Sequence, residues 1–102
     1  MEYTIRKTKA FDKWLRKLKN PIAKAKLLTR ITIIEEEGHF GDTTICKTPK
    51  SIDIRELREF TGAGYRVYYT IRNDIVVFLL AGGIKDTQSD DIQKAINEFN
   101  KL

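Results

Sequence analysis

The chain has 102 residues, with 19 Lys/Arg against 14 Asp/Glu, a formal charge of +5, a pI near 9.4 and 41% hydrophobic residues. That describes one domain, residues 1–102, large enough to bury a core without staples, and no apolar run approaches the ~20 residues that span a bilayer. The single cysteine, Cys46, excludes a disulfide framework and a cysteine metal site and suits a reducing cytoplasm.

The opening "MEYTIRKTKA" lacks the apolar region of a secretory signal. Within it, "EYTIR" (Glu2–Arg6) alternates as a first strand. Phe11, Leu15 and Leu18 then share one helical stripe with Trp14 beside it, while Lys13, Arg16, Lys17 and Lys19 lie mostly off it. Asn20-Pro21 ends this helix and caps the next. The second helix carries Ile22, Ala25, Leu28, Ile31 and Ile34 and stops at Gly38. The two form a helical hairpin. "HFGDTTICKTPK" reads as a loop. "SIDIRELREF" (Ser51–Phe60) reads as a strand with Ile52 and Ile54 in phase and Leu57 out of phase, which marks a bulge or a strand buried in part on both sides.

After a "TGAG" turn, Tyr65, Val67, Tyr69 and Ile71 alternate with Arg66, Tyr68, Thr70 and Arg72, the period of a half-buried strand. Asn73-Asp74 signals a hairpin turn. "IVVFLLA" (Ile75–Ala81) is a central strand covered on both sides, broken by Gly82-Gly83. Thr87 with Asp90 resembles a helix cap, and Ile92, Ala95, Ile96 and Phe99 form an amphipathic last helix. The fold class is α+β: an N-terminal strand, a helical hairpin, a mainly antiparallel twisted sheet of about four strands and a C-terminal helix.

Charge is unevenly spread. Residues 1–30 hold ten Lys/Arg against two acids, whereas residues 73–102 hold three against five. The basic half fits a polyanionic partner or a solvated lysine-rich helix face. "GAG" lacks the Lys-Ser/Thr of a phosphate loop, His39 has no ligand partner, and Glu35–Glu37 splay around a helix. What remains is the polar face of the "YRVYYTIR" strand, which is either an ordinary wet face or a surface that holds an anion. If Arg58 and Arg66 project from neighbouring strands with Lys85 just beyond, the three cations converge. Lys47 and Lys50 then overhang them from the loop, and Tyr68 stacks a base or donates a hydrogen bond. Such a cluster clamps a phosphodiester, arginine binding its oxygens bidentately. On the face opposite Tyr65, Val67 and Tyr69, Arg66 is expected to be removable at a cost of about 0.5 kcal/mol.

The order and spacing of "FDKWLRKL", "AKAKLLTRI", "GHFGD", "ELR", "GAGYRVYY", "VFLLAGGIKDTQ" and "DIQKAINEF" resemble type II toxins of the RelE/ParE superfamily, in the HigB-like "addiction module killer" branch. The resemblance covers most of the chain and implies a RelE-like fold and a cytoplasmic protein. It further implies a cognate antitoxin, of helix-turn-helix type and encoded adjacently, as well as ribosome and mRNA as partners. The activity implied is endoribonucleolytic: the RNA 2′-hydroxyl attacks the adjacent phosphate, without metal or cofactor. By the same resemblance Arg66, in "GYR", holds the scissile phosphate. Lys85 neutralises the transition state, and Arg58 closes the preceding strand. The chain departs from the best-known ribosome-dependent member. It has Ile54 and Glu56 where that member has lysines, and Thr87 and Gln88 near its tyrosine. Glu56 is then either a general base or an ion-pair partner of Arg58 or Arg66. Two other implied readings are a ParE-like toxin that binds DNA gyrase and a degenerate toxin that only binds its antitoxin.

Overall fold

The computed structural model describes residues 2–102. Strand β1 (Thr4–Lys7) leads into α1 (Lys9–Lys17), capped by Thr8, whose Oγ1 accepts from the Phe11 amide at 3.1 Å. The same hydroxyl donates to the Leu80 carbonyl at 2.7 Å, tying the start of the helix to the sheet. Asn20 caps α2 (Pro21–Glu37), with its Oδ1 accepting from the Ile22 and Ala23 amides, both at 3.1 Å. Gly38 ends that helix in the left-handed region at φ 75°. Both boundaries follow directly from the sequence.

The phase of α2 does not. Its buried residues are Ala23, Leu27, Ile31 and Ile34, while Ile22 and Leu28 are exposed and so is Ala25. The helix is apolar on more than one side, so two stripes satisfy helical spacing, and only the packing against the sheet selects one.

The sheet has five strands in the order β1-β5-β4-β3-β2. The additional strand, β2 (Thr43–Ile45), lies in the segment expected to be a loop. Three residues at a sheet edge are too few for a period to emerge. β3 is Arg55–Glu59, β4 is Tyr65–Arg72 and β5 is Val76–Ile84. Among the described residues only the β1–β5 pair is parallel. The β4–β5 turn holds Asn73 and Asp74 at φ 56° and 59°, the conformation that favours Asn and Asp.

Both faces of the sheet are covered. Phe11, Leu15, Leu27, Ile31 and Ile34 of α1 and α2 pack on Leu57, Val67, Tyr69, Val77 and Leu79. On the opposite face Ala95, Ile92, Ile96 and Phe99 of α3 (Gln88–Phe99) pack on Ile54, Tyr68, Leu80 and Ala81. Ile54 and Leu57 therefore serve opposite cores, and β3 is buried on both sides. The ladder irregularity falls in β5 instead, where Tyr68 faces Ala81 and Tyr69 faces Leu79, leaving Leu80 as the extra residue.

Gly82 and Gly83 do not break β5, which continues to Ile84. They are small because neighbours press on them. A Cβ at Gly82 would enter the six-membered ring of Trp14, and one at Gly83 would enter the Asp91 carboxylate. Gly83 is thus the seat of α3. Gly83→Ala should destabilise the protein by about 1–3 kcal/mol, the usual range for overpacking. Urea unfolding checks this, with an unchanged midpoint as the contrary result.

Candidate functional site

The β3–β4 register sets Arg58 opposite Arg66 and Glu56 opposite Tyr68, and the β4–β5 register sets Arg66 opposite Gly83. Glu56, Arg66, Tyr68 and, past the β5 irregularity, Gly83 lie on the sheet face that α3 covers. The expectation of an open polar face on β4 is therefore overturned: Arg66, Tyr68 and Thr70 are buried. The last helix was legible in the sequence, but which sheet face it would cover was not.

Arg66 and Glu56 form a buried ion pair. The Arg66 Nε lies 3.3 Å from Glu56 Oε2, with their side chains only 10% and 6% exposed. The pair is one of proximity and charge, because the Arg66 Nε–H is not aligned on any acceptor. Glu56 Oε2 also accepts from Gln88 Nε2 at 3.0 Å. Beside them Asp91, also buried, accepts a short hydrogen bond from Thr87 Oγ1 and has Lys94 Nζ 4.0 Å from its Oδ1. Thr87 thus stands at the cap of α3, but its hydroxyl serves Asp91 and the Ile84 carbonyl rather than a first-turn amide or Asp90.

Two carboxylates and one guanidinium share this interior, and their field reaches the neighbouring groups. Burial first, then Glu56 and Asp91, push the Tyr68 hydroxyl above its ordinary range, so it stays protonated. Its oxygen is buried without a hydrogen-bond partner. Burial, with Glu56 second, pushes the Cys46 thiol up to about 12.

The other expected site residues divide. Lys85 opens a short 3-10 turn (Lys85–Thr87); its side chain is exposed and its amide donates to the Gly64 carbonyl at 2.9 Å, just before β4. It therefore stands at the Arg66 end of the sheet. Arg58 lies beside Arg66 in register but its guanidinium turns to Asp42, 2.7 Å away, and lies over the Phe60 ring at 5.9 Å. That hydrogen bond to Asp42 raises the Arg58 pKa further. Arg30 organises this corner from α2, donating to the carbonyls of Phe40 (2.9 Å), Asp42 (3.1 Å) and Arg58.

Lys47 and Lys50 are not brought to the cluster. The Cys46 amide donates to Ile54 and Arg55 faces Tyr69, so the loop leaves the sheet level with Thr70. Thr70 is four residues beyond Arg66 (70 − 66), about 13 Å at the rise of a strand. The antiparallel course of β2 and β3 carries these lysines to the opposite end. Tyr68, with no exposed surface, offers no ring face for a base. Among the described residues no group of three His, Cys, Asp or Glu side chains is placed to hold a metal ion. Gln88 and Asp91 complete the cluster. Their one sequence signal was the Gly82-Gly83 pair, which calls for something bulky above it.

A five-stranded sheet with a helical pair on one face and a single helix on the other defines a RelE-like α+β fold. The E. coli toxin RelE, as an arginine-to-alanine double mutant in the free state, matches with a TM-score of 0.64 at 19% identity, over 92% of this chain and 98% of that one. A chain of the archaeal RelE–RelB complex from Pyrococcus horikoshii matches with a TM-score of 0.61 at 24% identity, over 83% of this chain and 97% of that one. The chain belongs to the phage-derived Gp49-like family (DUF891), whose pattern matches residues 13–100. An uncharacterized protein of Haemophilus influenzae is 46% identical over 97 residues, covering 93% of this chain and 91% of that protein.

Burial of the pair reverses the expectation that Arg66 is removable. Arg66→Ala strands a buried carboxylate and should destabilise by about 3–5 kcal/mol, with Glu56→Gln in the same chain recovering part of the loss. Urea midpoints of the two single variants and the double variant measure this. Cys46 gives a pH signature. Between its ordinary value of 9.0 and about 12 the unfolded thiol ionises while the native thiol stays protonated, so stability falls as pH rises through that window. Cys46→Ala should flatten that fall, read as unfolding free energy against pH.

Proposed function

We propose that this protein is the toxin of a type II toxin–antitoxin pair, of the HigB-like branch, and that it cleaves mRNA on the ribosome. The observation that carries the reading is a buried arginine with an unaligned Nε–H near a buried tyrosine hydroxyl without a hydrogen-bond partner. Both lie on the β4 face beneath α3, and the exposed Lys85 stands at the Arg66 end of the sheet. The fold shared with RelE and the match to the Gp49-like family support it.

In this mechanism the scissile phosphate competes with Glu56 for the Arg66 guanidinium. Glu56, so released, accepts the proton of the RNA 2′-hydroxyl. The 2′-oxygen attacks phosphorus, the bond to the 5′-oxygen breaks, and that oxygen leaves with a proton from the Lys85 ammonium. The products are a 2′,3′-cyclic phosphate and a 5′-hydroxyl. Arg66 and Lys85 stabilise the charge that builds on phosphorus, so that this reading routes no step through a metal or cofactor. A cognate antitoxin with an acidic segment would neutralise the basic surface.

A second reading is favoured by one observation: Arg66 is already engaged by Glu56 beneath α3. A chain with such a closed site could act only by binding, as a ParE-like gyrase toxin or as a degenerate antitoxin partner. Lys85→Ala separates these readings cleanly, because Lys85 is exposed and its loss should move stability by less than about 0.5 kcal/mol. Induced in bacteria, the native chain should arrest growth with cleaved ribosome-bound mRNA. Lys85→Ala should lower cleavage about 100-fold to 1000-fold, and Arg66→Lys should also be impaired. At high protein and RNA concentration, where cleavage can proceed without the ribosome, activity should persist in EDTA. Arrest with intact mRNA and a DNA-damage response selects the gyrase reading; no arrest selects the degenerate one.

A further inference from the structure

A second basic feature lies across β5 from the buried cluster. β1 ends at Lys7, opposite Leu79, and Thr8 binds the Leu79 and Leu80 carbonyls as the chain turns into α1. Beyond that point β5 has no strand on this side, and α1 and α3 flank its open edge. Between them is a cavity of about 300 Å³ lined by Lys13, Trp14 and Lys17 of α1, Gly82 of β5 and Lys94 of α3. No acidic side chain lines it. Lys94 has one carboxylate at 4.0 Å, that of Asp91. Among the described residues no carboxylate lies within 4.0 Å of Lys13 or Lys17.

We infer that this groove is a binding track for single-stranded RNA, in which Lys13, Lys17 and Lys94 hold phosphates and the Trp14 indole meets a base. The inference rests on the cleavage reading above, since it supplies the same RNA with a path away from Arg66. Lys13 and Lys17 are one helical turn apart, about 6 Å along the axis, a spacing suited to neighbouring phosphates of an extended strand. Cations interleaved with an aromatic surface form the usual sequence-independent platform for single strands. The groove lies across β5 from the first site and close to it along the strand. Its floor, Gly82, adjoins Gly83, which faces Arg66, and Lys85 follows two residues later. An acidic polypeptide would satisfy the lysines but would leave the indole unused.

Trp14 is the one tryptophan of the sequence, so intrinsic fluorescence reports on this groove. The probe is a 2′-O-methyl oligoribonucleotide of about a dozen residues, which lacks the attacking hydroxyl and reads binding without cleavage. It should quench Trp14, and log affinity should fall with log salt. Lys13→Ala with Lys17→Ala should lower the magnitude of that slope by about 1.4, at about 0.7 per phosphate contact on a single strand. Lys24→Ala with Lys26→Ala, on α2, should leave it unchanged. An unchanged slope in the α1 double variant, with no Trp14 quenching, overturns the proposal. So does quenching by poly-glutamate but not by RNA, which assigns the groove to an acidic protein. Failure of the two readings is distinguishable: groove binding without cleavage of unmodified RNA sinks only the nuclease, and cleavage without a slope change sinks only the groove.

Discussion

The contact of α3 with Gly83 is the constraint on which the rest of this molecule depends. Because position 83 has no side chain, the Asp91 carboxylate lies against the backbone of β5. That brings the first turns of α3 down over β4, and Gln88 reaches Glu56. The helix converts a strand face carrying Arg66, Tyr68 and Thr70 into an interior. An arginine–glutamate pair on an open face would be worth little. Under α3 the same two groups are held out of water, where removing either partner leaves an uncompensated charge. The pair is therefore a condition of α3 being seated as much as a consequence of it.

That interior is more acidic than basic. Glu56 and Asp91 outnumber Arg66; burial, and after it the charge of Glu56, pushes the Tyr68 hydroxyl and the Cys46 thiol above their ordinary ranges, and Asp91 adds to the shift at Tyr68. A phosphate brought to Arg66 adds a further negative charge. Compensation must come from outside the cluster, and the exposed cations available at that end of the sheet are Lys85 and, across β5, the lysines of α1. In the proposed mechanism, competition between phosphate and Glu56 makes the carboxylate a participant, freed as the guanidinium is taken.

Local signals in the sequence located elements well where one residue dictates one conformation. Asn20 and Gly38 bounded α2, and Asn73-Asp74 marked the β4–β5 turn, because caps and tight turns are decided within a few residues. The alternation of Tyr65–Arg72 correctly gave a strand and correctly separated Arg66 from Val67. It could not say that both faces would be buried, since α3 covers one of them from twenty residues downstream. The same limit explains α2, whose two apolar stripes differ only in what the sheet offers. It also explains Lys47 and Lys50, which the topology sends to the far end. Arg66 and Glu56 were legible as neighbours; Asp91 was not, because a carboxylate in the first turn of a helix has a sufficient local reason to be there.

In the proposed reading, two populations of cations divide the work of recognising a polyanion. Exposed lysines along α1 are flexible point charges, screened by salt, and act on encounter and affinity. A buried arginine is fixed in orientation and little screened, and acts on the charge that develops during reaction. β5 is the wall between them: Gly82 admits Trp14 from one side and Gly83 admits Asp91 from the other. Adjacent glycines on one strand thus position the aromatic of the outer groove and the carboxylate of the inner cluster. A substitution at either would be felt first as a shift of one helix, and through that helix as a change in only one of the two charge sets.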